Sequence, residues 1–394
     1  MGKNIAFITI PGPWSGVEVH TVGLANALIE SGHVVTIIEI NSKPYSISNK
    51  LPHACYQYLT TGPNTTSHDN IHNINSYFEW RKYFSKLNVN TIVLVKGTFK
   101  FGSLAMELAA RSSCEVLIAI EHMQQPLNLQ VRKFSIVHSL LKGWSKKRLR
   151  VKGYLRSIAP KKIICVSEAS AHTLINDFFY PKRKICVCHS GVDINIFKPD
   201  EFIRTHIRSQ YKISDKSIVF GSVGRLSPMK NHKLMIDAFA NLVKTKPEID
   251  IHLLIVGDGP LKNELIMQRD NCHCADKIHF AGFSDTPARF YAAFDYFCLS
   301  STTGESFPLV LLEAMATNNR PIATDVGGVK ESYSKEIGWL VTPKNIDELS
   351  SAMEEAVDSV KRNTFKNHPS PREYVAQFFN KTEKLHNLIE TITN

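Results

Sequence analysis

No apolar run in this 394-residue chain approaches the roughly 18 residues that a bilayer-spanning helix needs. The opening stretch, MGKNIAFITIPGPW, has neither the long apolar region nor the small-residue cleavage site of a secretory leader. Ala6 stands where an N-myristoylation motif needs Ser or Thr. These absences predict a cytoplasmic protein without a membrane span. Repeats of solenoid period and low-complexity tracts are missing, which excludes array and fibrous architectures. GPWSG, after the first apolar run, lacks the G-x-G-x-x-G spacing of a dinucleotide fingerprint. No Asp-x-Asp pair occurs anywhere.

Cysteine is sparse, with eight residues found mostly in apolar runs such as KIICVS and YFCLSS, the pattern of reduced core thiols. Cys186 with Cys188 and Cys272 with Cys274 adjoin His189 and His273. One intervening residue falls short of the two to four of a structural zinc half-site, so no metal ligand is assigned.

Acidic residues are absent from one long stretch. Between His122 and Ser167 there are 11 Lys and Arg and no Asp or Glu, which accounts for the whole net charge of +11. Within it, Val137, Leu140, Leu141 and Trp144, then Val151, Tyr154, Leu155 and Ile158, recur at helical intervals. The basic segment 132–162 reads either as a core-facing helix with a solvated cationic face or as a helix that docks on an anionic membrane surface. No aromatic stacking platform or nucleic-acid module accompanies it, so nucleic acid is not the expected partner.

What is present is an alternation of short Val- and Ile-rich runs with helix-length segments. NIAFITI, VVTIIEI, TIVLVKG, EVLIAIE, KIICVS and KICVCHSG form one series, and SIVFGSVG, DIHLLIVG, KIHFAG, YFCLSS, PIATDVGG and GWLVTP form a second. This rhythm predicts an α/β protein of two Rossmann-like, doubly wound domains facing each other across a cleft. The expected boundaries are 1–198, 199–366, and a helical segment 367–394 returning to the first domain.

Ligands of such sheets bind beyond the carboxyl ends of the strands. Arg225 and Lys230 flank a short loop after one strand, suited to a diphosphate, with Asn231 able to cap the next helix. VGDGP, containing Gly257, makes a tight turn at the same edge. In TGESFPLVLLEAMA, Ser306 is expected as N-cap with Pro308 in the first turn, placing Glu305 before the helix and Glu313 along it. Carboxylates on either side of an anion-binding helix start suit hydroxyls on both sides of a diphosphate, which describes a nucleotide sugar. Gly12 and Gly16 bracket a further turn, in which glycine serves either a phosphate or a tight bend.

Together, Glu305-x7-Glu313, Arg225 with Lys230, VGDGP, SGVEVH and HSGVD resemble the retaining GT-B glycosyltransferases of glycosyltransferase family 4, the group 1 glycosyl transferases, most densely from Gly221 to Pro343. The resemblance implies a UDP- or GDP-linked donor, no cofactor, and a glycan or lipid-linked acceptor in polysaccharide or lipopolysaccharide biosynthesis. Glu313 would take the ribose hydroxyls, Arg225 and Lys230 the diphosphate, and Glu305 the transferred sugar. Amides of Ser306, Phe307, Leu309 and the Gly16 turn would add contacts, the base would lie near Phe283, and His122 would face the sugar. Pro308 stands where the family often has glycine, which alters one amide near the hexose. With no Asp-x-Asp pair, protein cations rather than a metal would counter the diphosphate. A sugar-nucleotide epimerase and a noncatalytic nucleotide-sugar sensor share these features.

Overall fold

The computed structural model describes residues 2–9, 16–40, 47, 50–51, 54–59, 74–97, 103–122, 150–362, 364–365 and 367–394. The chain divides into two compact units, one of residues 1–189 with 385–394 and the other of 190–384.

In the first unit β1 (Asn4–Thr9), β2 (Val34–Ile40), β3 (Cys55–Leu59), β4 (Thr91–Lys96), β5 (Val116–Glu121), β6 (Lys162–Cys165) and β7 (Ile185–Val187) pair in parallel in the order β3-β2-β1-β4-β5-β6-β7. The second holds β8 (Ile218–Val223), β9 (Ile251–Val256), β10 (Ile278–Gly282), β11 (Tyr296–Leu299), β12 (Arg320–Thr324) and β13 (Trp339–Val341), all parallel, in the order β10-β9-β8-β11-β12-β13. Central strands are apolar on both faces because helices cover both: every residue of β4 and β9 is buried. Strand order reverses between β1 and β4 and again between β8 and β11, where the βα loops on the two sides diverge and leave room for a ligand.

The division falls nine residues before the expected boundary at Lys198. Residues 190–197 are held by the end of the second unit: Val192 pairs with Asn380, and its N–H donates to Phe379 O at 2.9 Å. Arg372 donates to the carbonyls of Ile194 at 2.9 Å and Phe197 at 2.9 Å. A Cβ on Gly191 would lie 2.7 Å from Lys381 Cα, so the backbones touch directly. Correspondingly, only 385–394 of the carboxyl-terminal segment joins the first unit, where Leu388 and Ile392 enter the core of β1, β2 and β4.

The described end of the basic segment departs from the core-facing reading of it. Residues 123–149, with Val137, Leu140, Leu141, Trp144, Lys146, Lys147 and Arg148, lie outside the described residues. In the helical residues 150–158, Val151, Tyr154 and Ile158 are each about half exposed, whereas Arg156 is buried. The apolar stripe faces outward for two reasons. Gly153 packs directly on Phe178, where an added Cβ would lie 2.5 Å from the Phe178 carbonyl oxygen, and Arg156 is drawn inward by Glu107 at 2.9 Å.

A buried arginine ties β11 to the helix Glu201–Gln210. Arg208 donates to the carbonyls of Ala293, Ser214, Asp215 and Ser217 at 3.0, 3.2, 3.0 and 2.9 Å, and to Asp295 Oδ2 at 2.8 Å. Asp295 in turn accepts from Val219 N at 2.7 Å, fixing the start of β8. Arg208→Met is expected to lower the unfolding free energy by about 2–4 kcal/mol, less than for a fully dry pair because Asp295 keeps some solvent. Urea unfolding with an unchanged midpoint would show that these bonds carry no net stabilisation.

Candidate active site

The loops after β8 and β11 meet at the reversal point of the second sheet. Thr302 N–H donates to Met229 O at 2.8 Å, and Ser300 Oγ donates to the carbonyls of Lys230 and Asn231 at 2.9 and 3.1 Å. These bonds bring the Lys230 ammonium to Glu305 Oε1 at 2.6 Å, and Ser301 Oγ donates to the same oxygen at 2.5 Å. Glu305 is buried, Lys230 keeps 14% of its side chain accessible, and Arg225 is exposed at the other end of its loop. Asn231 is the N-cap residue of helix His232–Thr245, but in a left-handed conformation, φ 50°, and without a side-chain cap bond. Its reversal of the chain presents Lys230. Next to it His232 stays neutral, lowered to about 3 by burial and secondarily by Lys230.

Backbone contacts hold the surrounding loops. Gly257, at φ 146°, packs on Gly224, where an added Cβ would lie 1.9 Å from Gly224 O. Gly257 N–H donates to Gly282 O at 2.8 Å, which links the loop ends of β9 and β10. Phe283 follows, 67% exposed. Gly327, at φ 55°, leaves room for Glu305 O, which accepts from Gly328 N–H at 2.9 Å.

Helix Leu309–Ala316 begins later than expected. Pro308, at φ −77° and ψ 101°, is the N-cap residue without a side-chain cap bond, and Ser306 stays outside the helix. The extended ψ at Pro308 prevents the helical turn from closing earlier, while Phe307 is anchored against Phe379 with ring centroids 5.6 Å apart. Leu309 therefore supplies the first helical amide. One turn on, Glu313 is half-buried, and Oε2 accepts from the fully buried Tyr291 hydroxyl at 2.7 Å. Burial raises its carboxyl to about 7 against the opposing pull of that bond.

In the first unit Gly16 opens helix Gly16–Glu30, and Gly12 lies outside the described residues. His122 follows β5, its N–H donating to Lys96 O at 2.9 Å, and its ring meets His20 edge-on at 4.8 Å. Both imidazoles are neutral: burial first, then His20, carries His122 well below its ordinary range, and burial lowers His20 to about 4. His122 Nε2 is buried without a partner among the described residues. Beside it, Lys96 Nζ lies 3.0 Å from Glu107 and 3.3 Å from Glu121, all buried. Burial pushes Glu107 up, but Arg156 and Lys96 outweigh it and hold the carboxyl low.

Residues 14–196 match the model of Glycosyltransferase Family 4, and 203–369 match that of Glycosyl transferases group 1. The chain belongs to the group 1 glycosyltransferases of family 4. This glycosyltransferase is 34% identical over 170 residues to N-acetyl-alpha-D-glucosaminyl L-malate synthase of Bacillus anthracis, covering 42% of the chain and 43% of that protein. It is 28% identical over 209 residues, 52% of the chain and 53% of the relative, to N-acetylgalactosamine-N,N'-diacetylbacillosaminyl-diphospho-undecaprenol 4-alpha-N-acetylgalactosaminyltransferase of Campylobacter jejuni. The chain thus spans about half the length of these curated relatives. Its GT-B fold is shared with Anabaena HepE, solved in complex with UDP-glucose, at TM-score 0.76 and 20% identity over 99% of each chain.

Three partners are not singled out as site residues by the sequence: Ser301 on Glu305, Tyr291 on Glu313, and His20 on His122. Of these only His20 carries a local signal, as the last residue of SGVEVH.

Glu313 generates a pH-dependent stability. A carboxyl raised to about 7 in the folded state contributes stability that is complete below about 4.5 and is lost as pH rises through 7. Glu313→Gln removes that titration, so its thermal midpoint should gain on the wild type between pH 5 and 8, by about 1–3 kcal/mol in stability. A pH-independent difference would mean that Glu313 is not raised.

Proposed function

We propose that this glycosyltransferase moves a hexosyl-type sugar, with retention, from a UDP- or GDP-linked donor to a glycan or lipid-linked acceptor of cell-surface polysaccharide or lipopolysaccharide biosynthesis. The observation that carries the proposal is the Lys230–Glu305 pair, 2.6 Å, set at the reversal point of the second sheet by two stitched loops. A lone carboxylate there would repel a diphosphate. Paired with Lys230, it accepts sugar hydroxyls while the ammonium and Arg225 face the phosphates.

Glu313 receives the ribose, whose hydroxyls donate to its carboxylate as Tyr291 does. Amides of Ser306, Phe307 and Leu309 and the Gly16 turn contact phosphate and sugar, Gly257 lets the β9 loop approach, and Phe283 flanks the base. His122, neutral, offers Nε2 to a sugar hydroxyl. In the reaction the bond from the anomeric carbon to the phosphate oxygen breaks and one to the acceptor oxygen forms on the same face. The acceptor proton passes to the departing phosphate oxygen. Lys230, Arg225 and the start of helix Leu309–Ala316 stabilise the negative charge that develops, so protein cations take the role of a metal.

Lys230→Ala and Glu305→Ala should each reduce kcat/KM about a hundredfold or more with the fold retained, and transfer should persist in a chelator. Product analysis with a panel of nucleotide sugars reads the result. Near wild-type turnover in either variant would remove this assignment, release of an altered free nucleotide sugar would indicate an epimerase, and donor binding without turnover would indicate a sensor.

The enzyme is further proposed to work on the inner face of the membrane. Val151, Tyr154 and Ile158 form an outward stripe beside Phe179, 50% exposed, with Arg150 lying 4.9 Å over its ring. Apolar insertion flanked by Lys and Arg suits an anionic bilayer, each cation near the surface adding about 1 kcal/mol. Replacing Lys146, Lys147, Arg148 and Arg150 by Gln should weaken binding to anionic vesicles about tenfold or more and spare the donor-induced thermal shift. Undiminished vesicle binding would make this a solvated face and leave a lipid acceptor unsupported.

A further inference from the structure

The turn that joins helix Lys262–Asp270 to β10 gathers three donor atoms unrelated to the site above. A thiol of Cys272, an imidazole nitrogen of His273 and a thiol of Cys274 lie within 4.8 Å of one another, and the two sulfurs are 3.1 Å apart. Successive tight turns produce this convergence: Cys272 N–H donates to Arg269 O at 2.9 Å, Ala275 N–H to Cys272 O at 3.2 Å, and Lys277 N–H to Cys274 O at 3.0 Å. Cys274 is buried, Cys272 half-buried and His273 exposed, so an ion could enter from solvent onto a partly dry floor. No other three such side chains converge among the described residues.

We propose that Cys272, His273 and Cys274 bind one Zn2+ ion as a three-ligand surface site with its fourth position open to water. Zinc bonds of about 2.3 Å to sulfur and 2.0–2.1 Å to nitrogen place these donors about 3.5–3.8 Å apart, within small side-chain rotations of the observed cluster. Two sulfurs and an imidazole select a soft or borderline ion over Mg2+ or Ca2+, which take oxygen ligands. The short Cys-x-Cys spacing counts against a closed four-ligand site, whose half-sites need longer loops, and not against three adjacent ligands with an open position. Binding displaces the thiol protons to solvent and leaves both sulfurs as thiolates.

The ion would brace one turn. It sits at the amino end of β10, whereas Gly282 and Phe283 lie at the other end, about 16 Å away at the usual rise per residue. As β10 is an edge strand, a cation bound by three consecutive residues of its approach turn would fix the conformation of that turn without entering the donor loops. The turn therefore stands apart from the proposed transfer.

The test uses the full chain, reduced, stripped of metal and titrated anaerobically with Co2+ as a visible probe. One equivalent should develop thiolate-to-cobalt charge-transfer absorption with tetrahedral ligand-field bands, and one equivalent of Zn2+ should abolish them. Cys272→Ser and His273→Ala, neither at a fully buried position, should keep the wild-type fold by circular dichroism and weaken Co2+ binding tenfold or more. Cys186→Ser, in the first unit, should titrate as the wild type. The proposal is overturned if the wild type gives no thiolate band, if Cys272→Ser keeps it at equal affinity, or if Cys186→Ser loses it.

Discussion

The second unit is organised around one ion pair at the point where its sheet changes direction. Lys230 and Glu305 come from different βα loops, so their contact requires that β8 and β11 be neighbours in parallel register, as Tyr296 opposite Phe220 makes them. The pair in turn constrains everything near it. Ser300, Ser301 and Thr302 bond across to the β8 loop or onto Glu305, and Gly327 must be small and bent because the Glu305 carbonyl, which accepts from Gly328 N–H, occupies the space beside it. Partial burial strengthens the attraction without removing both groups from water, which keeps the desolvation cost below that of an interior pair.

The first unit solves a similar problem differently. Lys96 and Glu121, at the ends of adjacent strands, are register partners and are both buried, with Glu107 and Arg156 closing the cluster. Four charges in one dry location balance in pairs, and none is aimed at solvent. What reaches the strand ends instead is neutral: His122 and His20, each kept uncharged by burial. One edge thus offers uncharged imidazole, the other paired charge, and the difference follows from how much water each group retains.

The strands are legible because parallel sheets covered on both faces write themselves as continuous apolar runs, and twelve of these appear in sequence order. β3 is not legible: CYQYL is a short edge strand with a polar centre, indistinguishable from loop by periodicity. The start of helix Leu309–Ala316 escapes a reading by residue type because Ser306 is a good cap in composition, while the conformation of Pro308 decides the boundary. The orientation of residues 150–158 is also hidden. Periodicity shows that apolar residues share a face, but whether that face meets the core depends on Gly153 and on Arg156 finding Glu107 49 residues away. Spacing alone points to Glu305, Glu313, Arg225 and Lys230 as candidates, whereas the contacts of Ser301 with Glu305 and of Tyr291 with Glu313 arise only through tertiary structure.

Ion pairs of this kind are poor devices for stability alone. Replacing a buried pair by apolar groups of similar volume is often neutral or stabilising, since the charges repay little more than their own desolvation. The Lys230–Glu305 pair also depends on left-handed Asn231 and on Gly327 at positive φ, both of which narrow the residues tolerated there. A structure that accepts these constraints at the carboxyl ends of its strands, while filling the rest of the sheet with Val, Ile and Leu, gains a preorganised cation and carboxylate rather than a firmer core. Because both groups are already oriented, a ligand carrying phosphate and hydroxyls would meet them without reorganising either loop, and in the proposed transfer that saving would apply equally to the charge that appears.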